Sequence, residues 1–408
     1  MSADVHAAPA MISARDAAEM IWGSLKPIGA TDVTLLESRG RVLAEEIIAS
    51  ENIPSFDNAA MDGFAVRAAD VAAVPAVLGV AGEIAAGSAP GGPLAPKQSA
   101  RIMTGGPVPA GCDAVVQQEW TEVRAPGAVT VLRSVPAGHN IRHAGSDIAQ
   151  GTTSLRLGTV LRPQEIGILA SLGKHSVRVS RRPAAAVLTT GNELSESAGP
   201  LAPGMIRDSN GPMVAALLEE EGCTVRPLGI ARDDRSILLE KVREGLDVDL
   251  LITSGGVSVG AYDLVGGVLR ELGVEIRFWK VNIRPGMPVL FGTKGRTAVF
   301  GLPGNPVSTM VTFLKFVRPA IRRLQGCSTA GGAVRLSAVL EHEIVKQDAK
   351  RHFVRGVLSD RDGALRVRST GSQLSNILSS LSLADCLIVL PEEVRTLGAG
   401  ARVDVELL

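Results

Sequence analysis

Three short segments of the sequence combine glycine, hydroxyl and carboxylate residues at spacings that suit phosphate chemistry. They are 190–193 (TGNE), 254–260 (SGGVSVG, followed by Asp263) and 301–306 (GLPGNP). Glycine lets backbone amides approach a phosphate closely, and a carboxylate beside a phosphate favours a bridging divalent cation. A tight turn explains any one of these segments equally well, but three of them together favour an anion-binding site.

Neither glycine loop matches a standard nucleotide fingerprint, because 255–260 lacks the GxGxxG spacing. Asn305 and Pro306 are suited to begin a helix, whose N-terminus would also attract an anion. Lys280 and Arg284 flank a short apolar stretch and are predicted to share one strand face. They are either solvated charges or two contacts to an anion.

The elements that position these segments alternate between short apolar strands and helices. The predicted strands are 184–190, 224–230, 249–253 and 297–300, and the predicted helices are 212–221, 235–244, 263–272 and 306–324. Such alternation predicts a mostly parallel, doubly wound sheet with helices on both faces. Ligands of open sheets of this kind bind outside the carboxyl ends of the strands, where all three segments lie.

Two further regions flank this α/β unit. Ser13 and Pro163 each mark the start of a helix, and the Gly- and Pro-rich stretch 75–150 predicts a β-rich insert. Apolar and polar residues that alternate along short segments near the C-terminus predict a small β domain. The fold class is therefore multidomain α/β, with these predicted domains: 11–50 with 140–180 (discontinuous, helical and β), 51–139 (β-rich insert), 181–326 (α/β) and 327–408 (β-barrel-like).

Composition excludes several classes of function. The chain has 408 residues, with 42 Lys and Arg against 42 Asp and Glu, and only 3% aromatic residues. A zero net charge disfavours a nucleic-acid coat or a polybasic membrane binder, and few aromatics disfavour stacking of single-stranded bases. No apolar run reaches the length of a membrane span, so a cytoplasmic protein is predicted. The four cysteines are too widely spaced for a zinc site or a disulfide framework.

Five segments, taken together and in this order, resemble the molybdopterin molybdenumtransferases, the MoeA family that includes the C-terminal domain of gephyrin. The segments are 54–66 (PSFDNAAMDGFAV), 101–109 (RIMTGGPVP), 254–263 (SGGVSVGAYD), 279–288 (WKVNIRPGMP) and 301–308 (GLPGNPVS). The resemblance implies a central α/β domain similar to MogA that binds molybdopterin. It also implies Mg²⁺-dependent insertion of molybdate into molybdopterin-AMP (adenylylated molybdopterin), with release of AMP.

The resemblance further implies partners. They are a second copy of the chain, which forms a homodimer with a shared cleft, a MogA-like molybdopterin adenylyltransferase that makes the substrate, and recipient molybdoenzymes or their chaperones. Neither nucleic acid nor a membrane is expected to bind.

The resemblance also implies the residues of the site, carried over position by position. The expected catalytic residues are Asp62, Asp147, Glu193, Asp233, Asp263 and Lys280. Of these, Glu193, Asp233 and Asp263 are the expected metal ligands. The residues expected to bind the substrates are Thr104, Asn210, Ser254, Gly255, Gly256, Ser258, Gly260, Arg284, Pro303, Gly304, Asn305, Pro306, Arg351, Arg355 and Ser375.

Two departures from the family pattern keep other functions open. Where the family commonly has KPGKP, this chain has RPGMP, so that Met287 removes one cation, and Leu374 stands where a glycine is common. The first alternative is a protein that binds molybdopterin as a scaffold or carrier without inserting the metal. The second is a paralogue that inserts tungstate, since tungstate and molybdate are nearly isosteric.

Overall fold

The computed structural model describes residues 11–89, 92–256, 264–329, 333–361 and 363–408. Its N-terminal part contains α1 Ala14–Ser24, β1 Ala30–Thr34, β2 Ile47–Ile48, β3 Asn58–Ala59, β4 Gly63–Val66, β5 Ala76–Ile84, β6 Gln98–Ile102, β7 Ala114–Gln117, β8 Thr121–Ala125, β9 Ala128–Val131, β10 Ile141–Arg142, β11 Thr153–Leu155, α2 Pro163–Ser171 and β12 Ser176–Ser180.

The central part contains β13 Ala184–Thr190, β14 Leu194–Ser195, β15 Ile206–Arg207, α3 Asn210–Glu220, β16 Thr224–Ala231, α4 Arg235–Gly245, β17 Leu250–Ser254, α5 Leu264–Glu271, β18 Glu275–Lys280, β19 Ile283–Arg284, β20 Pro288–Lys294, β21 Thr297–Leu302, α6 Pro306–Thr312 and α7 Arg318–Leu324. A π-helical turn, Phe313–Val317, joins α6 to α7. The C-terminal part contains β22 Arg335–Leu340, β23 Ile344–Val345, β24 Arg351–Arg361, β25 Ala364–Ser369, α8 Ser379–Ser382, β26 Cys386–Leu390, β27 Thr396–Leu397 and β28 Arg402–Leu407.

The central sheet is mixed. Within the described residues its order is β16-β13-β17-β21-β20-β18, and the first four strands are parallel. The last two strands are antiparallel, so the sequence-based prediction of a mostly parallel sheet misses this edge. The predicted strand shared by Lys280 and Arg284 is wrong, because Lys280 ends β18 whereas Arg284 belongs to β19 and pairs with the C-terminal domain.

Helices cover both faces of this sheet, as the doubly wound pattern predicts. Alternate strand residues such as Val187 and Leu188 point into different cores. Helices α1, α3, α6 and α7 contribute to one core, and α4 and α5 contribute to the other. Helix α1 lies in the N-terminal segment, yet its Ala17 and Ile21 are buried in the core of the central domain.

The flanking units have separate cores. Helix α2 packs with β2, β11 and β12, and the insert forms a sheet of order β7-β4-β6-β5-β9-β8. In the C-terminal part, β24, β25, β22, β28 and β26 form a closed barrel, because β24 also pairs with β26. The exact domain boundaries stay a prediction. Among the described residues, no helix is both long and apolar enough to cross a bilayer, and all four cysteines are free thiols.

Helix α5 packs so closely on β18 that one of its glycines has no space for a side chain. A Cβ on Gly266 would lie 1.9 Å from Cη2 of the buried Trp279, whereas a Cβ on Gly267 would meet no described heavy atom within 4 Å. We expect Gly266→Ala to lower the free energy of unfolding by about 1–3 kcal/mol through overpacking. The matched control, Gly267→Ala, should raise it by about 0.5–1 kcal/mol, because alanine favours helix. Denaturant unfolding of both variants checks this, and equal shifts would contradict the described packing.

Candidate active site

A cavity of about 1140 Å³ lies at the carboxyl ends of β13, β17 and β21, where the C-terminal domain meets the central domain. The structure brings together many of the residues singled out from the sequence in the lining of this cavity: Glu193, Asn210, Asp233, Ser254, Gly255, Gly256, Arg284, Pro303, Gly304, Asn305 and Ser375. Ser258, Gly260 and Asp263 lie outside the described residues.

The loop that follows β17 requires glycine at two successive positions. Gly255 and Gly256 have φ values of +91° and +64°, which disfavour residues with a side chain. A Cβ on Gly255 would lie 2.4 Å from the carbonyl oxygen of Thr190, and one on Gly256 would lie 2.8 Å from Thr190 Oγ1. The glycines therefore let this loop approach the end of β13 closely. The loop presents backbone and no side chain to the cavity at these two positions.

The side-chain amide of Asn210, at the start of α3, joins two of the loops. Its Nδ2 donates to Ser254 Oγ at 2.9 Å and to the Gly304 carbonyl at 2.8 Å. Ser254 Oγ in turn donates to the carbonyl of Pro303 at 3.1 Å. The loops after β17 and β21 are thus held in one arrangement by hydrogen bonds between buried groups, which are costly to break.

Two buried polar atoms on the cavity wall have no hydrogen-bond partner among the described residues. They are Thr190 Oγ1 and Asn210 Oδ1, from side chains that are only 4% and 8% exposed. Buried polar atoms in native proteins are nearly always hydrogen-bonded, so each exception requires an explanation. Both atoms are shielded from solvent, so a ligand in the cavity could bond to them only if the surrounding loops moved.

Ser375 brings the C-terminal domain to the start of α6. Asn305 Nδ2 donates to Ser375 Oγ at 2.9 Å, and the amide of Val307 donates to the Ser375 carbonyl at 3.2 Å. Asn305 and Pro306 begin α6 as predicted, but the Asn305 side chain makes no hydrogen bond that caps the helix. The tertiary contact with Ser375 takes the place of the local cap.

Glu193 and Asp233 are the carboxylates of the cavity among the described residues. The amide of Asp233 donates to Asn192 Oδ1 at 3.0 Å, which holds the loops after β13 and β16 together. In the described part of the chain, no three His, Cys, Asp or Glu side chains are placed to hold a metal ion. Mg²⁺ is commonly bound by one or two carboxylates together with substrate phosphates and water, so this pair fits Mg²⁺ that arrives with a phosphorylated substrate.

The sequence does not reveal a charged cluster around Asp348, which contacts the cavity residues Arg284 and Lys350. Asp348 accepts hydrogen bonds from Arg284 Nη1 at 3.2 Å, His352 Nε2 at 2.7 Å and the amide of Lys350 at 3.2 Å. Burial alone would raise the pKa of the Asp348 carboxyl, but these hydrogen bonds lower it to about 2. Asp348 is therefore ionised at neutral pH and holds Arg284 beside the cavity.

Arg355, a predicted oxyanion ligand, has a different environment. Its guanidinium is fully buried and donates to Ser380 Oγ and to the carbonyls of Ser372, Gln373 and Leu374. Burial lowers the pKa of this guanidinium below its usual range. Arg355 thus fixes the loop that presents Ser375 and is not itself in the cavity lining.

Two other predicted cations and one acid also lie outside the cavity lining. Arg351 Nε lies 3.1 Å from Glu392 Oε2, and Lys280 lies at the end of β18, where its carbonyl accepts from the amide of Ile12. Asp147 is exposed, and its amide donates to the carbonyl of Ile53.

Asp62 and Thr104 form a separate pair in the β-rich insert. The amide and hydroxyl of Thr104 donate to Asp62 Oδ1 at 2.6 and 2.7 Å, and these hydrogen bonds lower the pKa of Asp62. Asp62 lines a second cavity of about 640 Å³. Within one chain, the structure does not bring this pair into the larger cavity.

Comparisons with known proteins match the whole architecture. Family models match residues 12–173 as the MoeA N-terminal region (domain I and II), 186–323 as a probable molybdopterin binding domain, and 337–408 as the MoeA C-terminal region (domain IV). Molybdopterin molybdenumtransferase of Haemophilus influenzae is 38% identical over 92% of this chain and 93% of its own. Molybdopterin molybdenumtransferase 2 of Mycobacterium tuberculosis is 38% identical over 91% of this chain and 94% of its own.

A solved structure shares the fold as well. The molybdopterin biosynthesis MoeA protein of Pyrococcus horikoshii superposes with a TM-score of 0.85 at 30% identity, over 98% of this chain and 100% of that one. The chain therefore belongs to the MoeA family of molybdopterin molybdenumtransferases, which are enzymes.

The contrast between the two arginines of β24 can be measured. We expect Arg355→Met to lower the free energy of unfolding by about 2–4 kcal/mol, because it removes the buried donor of the hydrogen bonds to Ser380 and to three loop carbonyls. Arg351→Met, which removes a partly exposed ion pair with Glu392, should cost at most about 1 kcal/mol. Denaturant unfolding of both variants tests this. An Arg355→Met variant as stable as Arg351→Met would show that Arg355 does not hold the loop.

Proposed function

We propose that this enzyme inserts molybdate into molybdopterin-AMP with release of AMP, in the synthesis of molybdenum cofactor. The observation that carries the proposal is the cavity itself, a space of about 1140 Å³ that is lined by the loops after β13, β17 and β21 and by the carboxylates Glu193 and Asp233. Family membership indicates which phosphorylated ligand this space receives. Its size suits a ligand with a pterin, two phosphates and a nucleoside.

The two glycine loops bind the phosphates in this proposal. At 254–256 and 303–305 the backbone is held in place by Asn210 and Ser254, so the amides of Gly256, Gly304 and Asn305 need no reordering when an anion binds. Preorganised donors of this kind stabilise the charge that develops as a phosphoanhydride is cleaved.

Glu193 and Asp233 are the described residues that would hold Mg²⁺, with Asp263 as the third predicted ligand. The ion would neutralise the charge of the phosphoanhydride. The chain's own contribution is to fix the position of Asp233 through Asn192, so that both carboxylates line the same wall of the cavity. Ser375 of the C-terminal domain and Arg284 of β19, which pairs with that domain, both line the cavity and are suited to bind oxygens of molybdate.

Three of the remaining predicted residues, Asp62, Thr104 and Asp147, require a second copy of the chain in this proposal. Asp62 and Thr104 are already hydrogen-bonded to each other and lie in the insert. We propose that this pair, together with Asp147, completes the larger cavity of the partner in a homodimer.

Lys280 and Arg351 remain predicted ligands, and their side chains would have to move to contact the substrate. A MogA-like adenylyltransferase as supplier, molybdoenzymes or their chaperones as recipients, and a cytoplasmic site of action also stay predictions.

AMP release from molybdopterin-AMP tests the reaction. We expect release by the purified dimer to require both molybdate and Mg²⁺, and Glu193→Gln to lose most of the turnover because the amide brings no charge to the ion. The matched control is Glu196→Gln, three residues along the chain, where the side chain lines a different pocket. This control should release AMP at the wild-type rate.

Other outcomes of the same assay identify the alternatives. Binding of molybdopterin-AMP without AMP release would contradict the proposal and favour a scaffold or carrier. Release that depends on tungstate in preference to molybdate would favour a tungstate-inserting paralogue. Equal loss of turnover in Glu193→Gln and Glu196→Gln would remove Glu193 from the metal site.

A further inference from the structure

The cations of the large cavity differ in how they are paired. Among its described lining residues, the basic side chains are Arg284 and Lys350. Arg284 is paired with Asp348 at 3.2 Å. In contrast, no described carboxylate lies within 4.0 Å of the Lys350 ammonium, and its recorded contact is with the sulfur of Met287, 3.4 Å from Nζ. Of these two basic residues, Lys350 is therefore the one that has no acidic partner among the described residues.

A thioether is a poor partner for an ammonium group. Its sulfur is uncharged and only a weak acceptor, whereas an ammonium has three donors and a full positive charge. The Lys350 side chain is only partly exposed and lies at the cavity wall. Its donors are therefore best satisfied by an anion that enters the cavity.

The backbone on both sides of this contact is fixed. The amide of Lys350 donates to Asp348 Oδ1, and its carbonyl accepts from the buried ammonium of Lys346 at 2.7 Å. The carbonyl of Met287 accepts from the amides of Val281 and Val289 at 3.0 and 3.1 Å. The Lys350 ammonium is thus anchored to the C-terminal domain but reaches the central-domain segment that carries Met287.

We propose that Lys350 binds the tetrahedral oxyanion substrate and supplies, from the C-terminal domain, the positive charge that position 287 lacks. The identity of the oxyanion as molybdate rests on the proposed function. Together with Arg284 and Ser375, Lys350 offers convergent donors from two domains, which a tetrahedral dianion requires. Met287 acts as an apolar support that keeps the ammonium directed along the cavity wall.

Equilibrium dialysis against molybdate, with molybdenum counted by mass spectrometry, tests the proposal without any turnover. We expect Lys350→Met to weaken molybdate binding about tenfold, the effect of losing one charge-assisted hydrogen bond. Lys350→Arg should keep most of the affinity. The double variant Met287→Lys with Lys350→Met should recover the wild-type affinity for molybdate. In this variant residue 287 of the central domain supplies the ammonium group, close to the place that the Lys350 ammonium occupies.

The matched control is Lys294→Met, which removes an exposed lysine at the end of β20, outside the cavity lining. It should bind molybdate like the wild type. Unchanged affinity in Lys350→Met, or equal losses in Lys350→Met and Lys294→Met, would overturn the proposal. Far-UV circular dichroism of each variant confirms that the comparison is made between folded proteins.

A second measurement separates this proposal from the proposed function. In the AMP-release assay, Lys350→Met should raise the KM for molybdate about tenfold and change kcat much less. If the wild type releases no AMP but binds molybdate in a Lys350-dependent way, the proposed reaction fails and the oxyanion site stands. If AMP is released with an unchanged KM for molybdate in Lys350→Met, the role of Lys350 fails alone. A wild type that neither binds molybdate nor releases AMP overturns both.

Discussion

The hydrogen bonds of the Asn210 amide are the constraint on which the cavity depends. One nitrogen bonds to Ser254 and to Gly304, which lie at the ends of different strands. The loops can meet there only because Gly255 and Gly256 leave no side chain between them and the end of β13. This arrangement leaves two buried polar atoms, Thr190 Oγ1 and Asn210 Oδ1, without hydrogen-bond partners among the described residues.

The second constraint is the junction between the central and C-terminal domains. Strand β19 leaves the central domain and pairs with β24 of the barrel, Ile283 opposite Arg351. Ser375 is fixed against α6 at the same junction, and Arg355 holds the loop that carries it. The oxyanion side of the cavity is therefore built from two domains, whereas the phosphate side is built from loops of one sheet.

How much of this was predictable depends on the range of the interactions. The sequence predicts strand 184–190 and helix 235–244 correctly, because a continuous apolar run indicates the first and helical spacing of apolar residues indicates the second. The antiparallel edge β18 and β20 was missed, since an apolar run does not reveal the direction of its neighbour. The role of Arg355 was not visible either, because burial of a guanidinium depends on contacts far along the chain.

The two departures from the family pattern, Met287 and Leu374, are explained by the backbone conformation and by contacts between residues far apart in the sequence. Leu374 has an ordinary backbone conformation outside the left-handed region, so the loop does not require a glycine there. Lys350 follows no motif and reaches Met287 only because β19 and β24 pair. A cation lost in one domain can thus be replaced from another, which residue-by-residue comparison does not detect.

The most direct test of the central claim is a crystal structure of the protein with AMP and molybdate bound. The account predicts the AMP phosphate on the amides of Gly256, Gly304 and Asn305. Molybdate is predicted beside Arg284, Lys350 and Ser375. Well-defined ligands in another cavity would contradict the account.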